Sequence, residues 1–322
     1  MNDNDARVCW DKIGFGDYSI LQDREQFSYG IDAVLLADFA ANFINQKKNS
    51  AEGIAVDLGT GTGVIPLILA HKTRLDAIIG LDIEEYFVKL ARQSALKNGL
   101  DKRVFYEVCD VREHDCLDFS NVLGIHNINK SGNSDTNSDI DSNCNGNDNT
   151  NIHIGSNCNG NDNSNIHIGS NCNGNDNTNS NGEIHDSSRL ECDFVLCNPP
   201  YFKSNASIPS RNSIKDVARR EIKGSLRDFC FFASNILKRG GEFYLIHKPE
   251  RLIDVFASLR DACLEPRDIR MVSSTVSGEP KFVLVRSIKN GGENLRFMKP
   301  LTIYENDGHY TKEILKIYER EY

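Results

Sequence analysis

A chain of 322 residues, 39% of them apolar, has room for one large domain or two smaller ones, and its net charge of −9 at pH 7 argues against a uniformly basic nucleic-acid binder. Its longest apolar run, Val64–Ala70, is far too short to cross a bilayer, and Met1–Arg7 lacks both a signal peptide's apolar core and a transit peptide's Arg-rich pattern, so a soluble, cytoplasmic protein is expected. Ten cysteines without a CxxC pair, Cys109 and Cys197 among them inside expected strands, favour buried free thiols over disulfides or zinc.

Trp10–Gly30 mixes short apolar runs with Gly14, Gly16 and Asp23-Arg24 and reads as a small β-hairpin. Phe27-Ser28-Tyr29-Gly30-Ile31-Asp32 leads into Ala33–Phe43, apolar at helical spacing, with Asp32 placed to cap it. An aromatic followed by a helix N-terminus suits one wall of a ligand pocket; a helix packed on the core explains the same pattern, and the two readings are compatible. Gly53–Asp57 is a buried strand running into Leu58-Gly59-Thr60-Gly61-Thr62-Gly63, with Val64–His71 as the next helix. Such glycines let backbone approach a ligand closely, and the helix start presents unpaired N–H groups. A dinucleotide fingerprint, GxGxxG, would need its third glycine at Val64; DxGxGxG stands here instead. Asp57 is awkward beside a pyrophosphate and fits a cationic, amino-acid-bearing ligand such as S-adenosylmethionine.

Ala77–Leu81 ends in Asp82-Ile83, where a carboxylate at the tip of a second strand suits a ribose diol. Glu84–Asn98 is a helix with Phe87, Leu90, Ala91 and Ser94 on one side and Gly99 as its stop. Val104–Cys109 is a third strand, and Asp110 at its end is placed to accept from an adenine amino group. A single such Asp is more often a turn or cap residue. Three successive strands ending this way, the first with a glycine loop, point to an adenosine-bearing cofactor.

Residues 128–186 hold 19 asparagines and no Leu, Val, Phe, Tyr, Trp, Met, Ala or Pro, and the run Ser142–Asp148 recurs from Ser156 and from Ser170 with a period of 14. So little apolar surface cannot offset ordering entropy, so the stretch reads as a disordered insertion in a single domain made of 1–127 and 187–322. Cys144 with His153 and Cys158 with His167 share a nine-residue offset that would suit a metal, but the final repeat lacks its His and no metal site is expected. Charge divides unevenly: −7 over 1–127, −7 over 128–186 and +5 over 189–322, densest around Arg219, Arg220, Lys223 and Arg227. That cluster suits phosphate contacts and equally suits the solvated side of a helix.

Asp193–Cys197 is a buried strand that stops abruptly at Asn198-Pro199-Pro200-Tyr201. The carboxyl end of a strand is where open α/β sheets bind ligands. The Asn198 side-chain oxygen and the Pro199 carbonyl can accept from an NH2 group and aim its lone pair at an electrophile, a gain from positioning and charge stabilisation. Tyr201 offers a flat face to a base turned out of its stack. A proline-stiffened loop is the structural alternative. Beyond Asn212 come a helical pattern through Arg219-Arg220, a helix from Ser225 to Leu237 stopped by Gly240-Gly241, a strand Glu242–His247, a helix Glu250–Ala262, and strands Ile269–Ser273 and Lys281–Ile288. The alternation predicts a doubly wound, seven-stranded, mostly parallel α/β sheet whose short final link turns the last strand antiparallel. The tail is amphipathic, and no chemistry is assigned to Tyr304–Tyr310.

In this order, Asp57-x-Gly59-x-Gly61-x-Gly63, Asp82, Asp110 and Asn198–Tyr201 resemble the Rossmann-like class I S-adenosylmethionine-dependent methyltransferases that modify amino nitrogens. With Phe27–Ala37, Cys197–Phe202, Ala218-Arg219-Arg220-Glu221 and Tyr304–Thr311, the chain looks like the bacterial tRNA1(Val) adenine-N6-methyltransferase family over nearly its whole length except the insertion. The resemblance implies methyl transfer from S-adenosylmethionine, leaving S-adenosylhomocysteine, to N6 of the adenine 3′ of the anticodon. It further implies that Asp57, Gly59, Thr60, Gly61 and Gly63 surround the methionine part of the cofactor. Asp82 and Ile83 would sit at the ribose, Asp110 and Val111 at the adenine, with Phe27 and Asp32 closing the pocket. Of the catalytic tetrapeptide Asn198-Pro199-Pro200-Tyr201, Asn198 and Pro199 would hold the target amine and Tyr201 the flipped base. Arg220 stands where the family has His, which leaves the role of the basic cluster in RNA contact open. The implied partner is tRNA; no membrane or stable protein partner is evident. Glutamine-N5 methyltransferases of release factors share the tetrapeptide but carry a helical domain ahead of the glycine loop. A non-catalytic, cofactor-sensing RNA-binding module is disfavoured by the intact tetrapeptide, and a nicotinamide oxidoreductase by the loop spacing.

Overall fold

The computed structural model describes residues 7–23, 25, 29–47, 53–113, 119–123, 191–199 and 224–320. Chain contacts separate residues 1–124 and 181–322 from residues 125–180, and every described residue lies in the first unit. The 128–186 stretch with Cys144, Cys158, His153 and His167, the Arg219-Arg220 cluster, Phe27, Pro200 and Tyr201 lie outside the described residues.

Strands β1 (Val8–Lys12) and β2 (Ser19–Asp23) pair antiparallel as the expected hairpin, and α1 (Ile31–Ile44) follows. Asp32 does not cap α1: Gly30 is the N-cap residue, and Asp32 stands inside the first turn, where its carboxylate is turned to another task. The main sheet is built from β3 (Ile54–Leu58), β4 (Ala77–Asp82), β5 (Val104–Val108), β6 (Cys192–Cys197), β7 (Leu237–His247), β8 (Leu264–Ser273) and β9 (Pro280–Lys289). Between them run α2 (Val64–Lys72), α3 (Glu85–Lys97), α4 (Phe119–Val122), α5 (Leu226–Ile236) and α6 (Leu252–Asp261). Strand order is β5-β4-β3-β6-β7-β9-β8, parallel from β5 to β7, with β9 antiparallel to both its neighbours. Two short strands, β10 (Arg296–Phe297) and β11 (Leu301–Thr302), extend the β8 edge in parallel, and α7 (Lys312–Ile317) buries Ile314 and Ile317.

Side chains alternate across each strand, so each of the central strands feeds two cores. Ala55, Phe194, Leu196, Tyr244 and Ile246 join one cluster with α1 and α2, while Val56, Val195, Cys197, Phe243 and Leu245 join another with α5 and α6. Each large apolar side chain so buried contributes about 1.5–3 kcal/mol. This is the doubly wound arrangement of the class I methyltransferases.

Two expectations are corrected. Gly240-Gly241 does not stop a helix: α5 ends at Ile236 and the chain passes directly into β7, where Gly240 has φ +76° and the register against β6 shifts between Cys192 and Phe194. Paired glycines signal a bulge as readily as a helix stop, and here they mark the bulge. Cys109 is disulfide-bonded, whereas Cys192, Cys197 and Cys230 are the buried free thiols expected, and Cys9 and Cys263 are half-buried cysteines outside any disulfide. Among the described residues no helix is long and apolar enough to cross a membrane.

The chain runs from β3 outward through β4 to β5, then returns to the other side of β3 and runs outward again through β6 to β7. The reversal between β3 and β6 is a topological switch point, and the loops at the carboxyl ends of these strands open there.

Candidate cofactor and methyl-transfer site

Asp57 lies near the end of β3 and is buried. Its Oδ2 accepts a hydrogen bond from Thr60 Oγ1 at 2.6 Å, while Oδ1 has no hydrogen-bond partner among the described residues. Burial pushes the carboxyl up to about 8 against the lowering pull of the Thr60 bond, and the neighbouring Asp82 charge adds to the rise. Such an oxygen is suited to an ammonium group or to a water that bridges to one.

The loop beyond is held open by glycines that do different work. Gly59 and Gly61 have φ of +69° and +54°, and the Gly61 N–H donates to Asp82 Oδ2 at 2.8 Å. Gly63, the N-cap residue of α2 at φ +84°, is instead a packing position: a Cβ there would lie 2.6 Å from Tyr106 Oη, which donates to the Gly63 carbonyl. Tyr106 also fills the space beside Gly80, so this β5 side chain buttresses the loop from beneath.

Asp82 ends β4 and accepts from Gly61 N–H on Oδ2 and from Glu84 N–H on Oδ1, which fixes the carboxylate rigidly at the cavity wall. Asp110, two residues beyond β5, is gripped by Arg112, whose Nε and Nη2 reach its carboxylate and hold it below the usual range. The expected adenine acceptor thus has a guanidinium competitor two residues away, and Arg112 must share or yield that carboxylate when an amino group arrives.

Asn198 follows β6 directly, and its Nδ2 donates to Asp32 Oδ2 at 3.2 Å. A carboxylate only accepts, so it selects the NH2 end of the amide and turns Asn198 Oδ1 the other way. Asp32 therefore orients the residue expected to hold the substrate amine. Pro199 is buried beside it.

A cavity of about 130 Å³ draws these elements together, lined by Gly59, Gly61, Asp82, Ile83, Asp110, Val111 and Asn198 from the expected set. Four lining residues were not foreseen as site residues: Leu81, Phe87, Cys109 and Phe229. Phe87 and Phe229 had helical apolar spacing as their only sequence signal, which serves core and cavity wall alike. Asp57, Thr60 and Gly63 stand behind this wall, and Asp32 reaches it through Asn198. Glycine-loop backbone, three carboxylates and one orphaned buried oxygen fit a ligand bearing an adenosine and an amino acid.

Residues 49–135 match a family described as a methyltransferase domain. A tRNA1(Val) (adenine(37)-N6)-methyltransferase of Porphyromonas gingivalis is 23% identical over 314 residues, spanning 97% of this chain and 95% of that protein. Its counterpart of the same name in Flavobacterium johnsoniae is 37% identical over 71 residues, 22% of this chain and 28% of that protein. Among solved structures, a predicted O-methyltransferase of Agrobacterium tumefaciens superposes with a TM-score of 0.53 at 16% identity, covering 90% of this chain and 98% of that one. The chain thus carries a methyltransferase domain, on a sheet with the class I methyltransferase fold, and is similar nearly end to end to a protein named as a tRNA1(Val) adenine-N6 enzyme.

Proposed function

We propose that this methyltransferase acts on the exocyclic N6 of an adenine in tRNA, next to the anticodon of a valine tRNA. The observation that carries the reading is the Asn198 amide, oriented by Asp32 at the wall of the cavity. The end-to-end likeness to a protein of that name supports it.

S-adenosylmethionine, when bound, supplies an electrophilic methyl group. Asn198 Oδ1 and the Pro199 carbonyl accept from the two N–H bonds of the adenine amine, which holds the nitrogen lone pair toward that methyl. Positive charge grows on nitrogen as the N–C bond forms and the S–C bond breaks, and the two acceptors stabilise it. Neither acceptor is a base, so the proton leaves to water after transfer. Tyr201 would support the base, which must leave its stack to reach the site. Residues 128–186 are read as an insertion outside this chemistry.

The test is methyl transfer from labelled S-adenosylmethionine to total bacterial tRNA, followed by nucleoside analysis. N6-methyladenosine is expected, and Asn198→Ala should lower the rate by about 10²–10³-fold while the protein still binds cofactor. Label appearing on a release-factor glutamine instead of tRNA would replace the adenine by an amide. Binding of tRNA without turnover would make the chain a sensing module.

A further inference from the structure

The hairpin at Ile303–Thr311 carries a ladder of stacked rings. Tyr304 and Tyr310 are cross-strand partners in an isolated bridge, closed by Glu305 N–H to His309 C=O at 2.8 Å and Thr311 N–H to Ile303 C=O at 3.0 Å. Their rings stack at 5.2 Å and 14°, Tyr310 stacks on Tyr318 at 6.0 Å and 18°, and Tyr318 on Phe15 at 5.9 Å and 16°. The inner end of this ladder is anchored in the core, since Phe15 is fully buried. The outer end, Tyr304, is 36% exposed.

Register places that outer ring on the edge of the sheet that bears the transfer site. Leu245 of β7 pairs with Cys197 of β6, His247 with Val283 of β9, Ser273 of β8 with Pro280, and Thr302 of β11 with Ser273. Tyr304 follows two residues later, so it shares the carboxyl edge with Asn198, four strand spacings away, or about 20 Å. Between them on that edge stand Lys248, over the Phe282 ring at 4.3 Å, and the exposed Lys281. Among the described residues, Glu250 and Glu279 flank those lysines.

A partly exposed ring, backed by a stack and at this distance from a site proposed to take a nucleobase, fits a second base. We infer that Tyr304, backed by Tyr310, is a stacking platform for an unpaired base of the RNA substrate several nucleotides from the methylated one. This inference deepens the tRNA reading and rests on it. Ring stacking is indifferent to which base arrives, so the platform sets affinity and register along the loop and leaves the choice of methylated base to the transfer site. The ladder behind it lowers the ordering cost, because the platform is already held in place before RNA binds.

The experiment measures equilibrium binding of an unmodified valine-tRNA transcript, with S-adenosylhomocysteine binding followed in parallel. Tyr304→Ala should weaken transcript binding about tenfold and leave S-adenosylhomocysteine binding as in the parent, while Tyr304→Phe and Tyr304→Trp restore tight RNA binding. A parent and a Tyr304→Ala variant with equal affinity for a transcript that both methylate would overturn the platform and leave the tRNA reading intact. A parent that binds no transcript would overturn both. A Tyr304→Phe variant as weak as Tyr304→Ala would assign the effect to the hydroxyl and overturn stacking.

Discussion

Asp57 offers a test that needs no RNA. With its carboxyl at about 8, the ligand-free protein holds about 0.9 proton on this group at pH 7. A ligand whose α-ammonium lies near the orphaned Oδ1 favours the carboxylate and expels that proton. Ionising the group before binding costs about 1.4 kcal/mol at pH 7 and about 2.7 kcal/mol at pH 6, at 1.36 kcal/mol per unit. Affinity for S-adenosylhomocysteine is therefore expected to rise about tenfold from pH 6 to pH 7, a range in which a free α-amino group, with its ordinary pKa of about 8, stays charged. Calorimetric titration at pH 7 in phosphate and in Tris counts the released protons from the difference in heat. The parent should release about 0.9 and Asp57→Asn close to none, with the pH slope flattened in the variant. No proton release by the parent, or the same slope in both proteins, would refute the reasoning. The stability sign follows from the same shift: the folded pKa lies above the ordinary carboxylate value, so this group favours the ligand-free fold at low pH and withdraws that support as pH rises toward about 8.

Asp32→Ala releases the Asn198 amide and should lower the single-turnover transfer rate about 10- to 100-fold without moving the melting temperature by more than a few degrees; an unchanged rate would show that the hydrogen bond does not position Asn198. Gly63→Ala combines left-handed backbone strain of about 1–2 kcal/mol with overpacking against Tyr106 of about 1–3 kcal/mol, whereas Gly99→Ala, at φ +67° in open space, carries the strain alone. Urea unfolding should rank them in that order, and equal losses would remove Tyr106 from the account. Glu242 is buried among Arg286, Tyr244 and Lys47, the last at 2.7 Å. Burial acts to raise its carboxyl, but the bonds from Arg286, Lys47 and Tyr244 outweigh it and the net shift is downward. Its support is therefore present at neutral pH and lost as pH falls through the lowered value. Glu242→Ala leaves Arg286 with Asp268, at 2.7 Å, as its remaining carboxylate partner and should cost about 1–3 kcal/mol in urea unfolding at pH 7; a loss under about 0.5 kcal/mol, the size of an ordinary surface change, would show the Glu242 bonds to be dispensable.

The fold was readable wherever one residue type does one job. Unbroken apolar runs at Ala77–Leu81 and Phe194–Cys197 fixed buried strands, the spacing of Phe87, Leu90 and Ala91 fixed a helix face, and the short link after Ser273 fixed the antiparallel final strand. Reading failed where one signal serves two ends. Gly240-Gly241 suits a helix stop and a bulge equally, and only pairing of β7 with β6 decides between them. Asp32 looked like a cap because its neighbours in sequence are helical, but its partner Asn198 is 166 positions away. The Arg112 fork on Asp110 is only two residues away in sequence, but a strand-end carboxylate suits a ligand and a neighbouring guanidinium equally. Tyr304 and Tyr310 became a stack only through a hairpin register that spacing does not encode.

The placement of β6 between β3 and β7 also has a bearing on how the chain is made. The Ile54 N–H bonds to Asp193 Oδ2 across 139 positions, so the two strands that form the switch point leave the ribosome far apart in time. At about 5–20 residues per second, β3 waits roughly 7–28 s for β6, with one ladder edge open beside β4. The 59 residues from 128 to 186 account for about 3–12 s of that wait. Their number is thus a clock on the nascent chain, setting how long an unpaired parallel strand has only solvent or a chaperone for a neighbour.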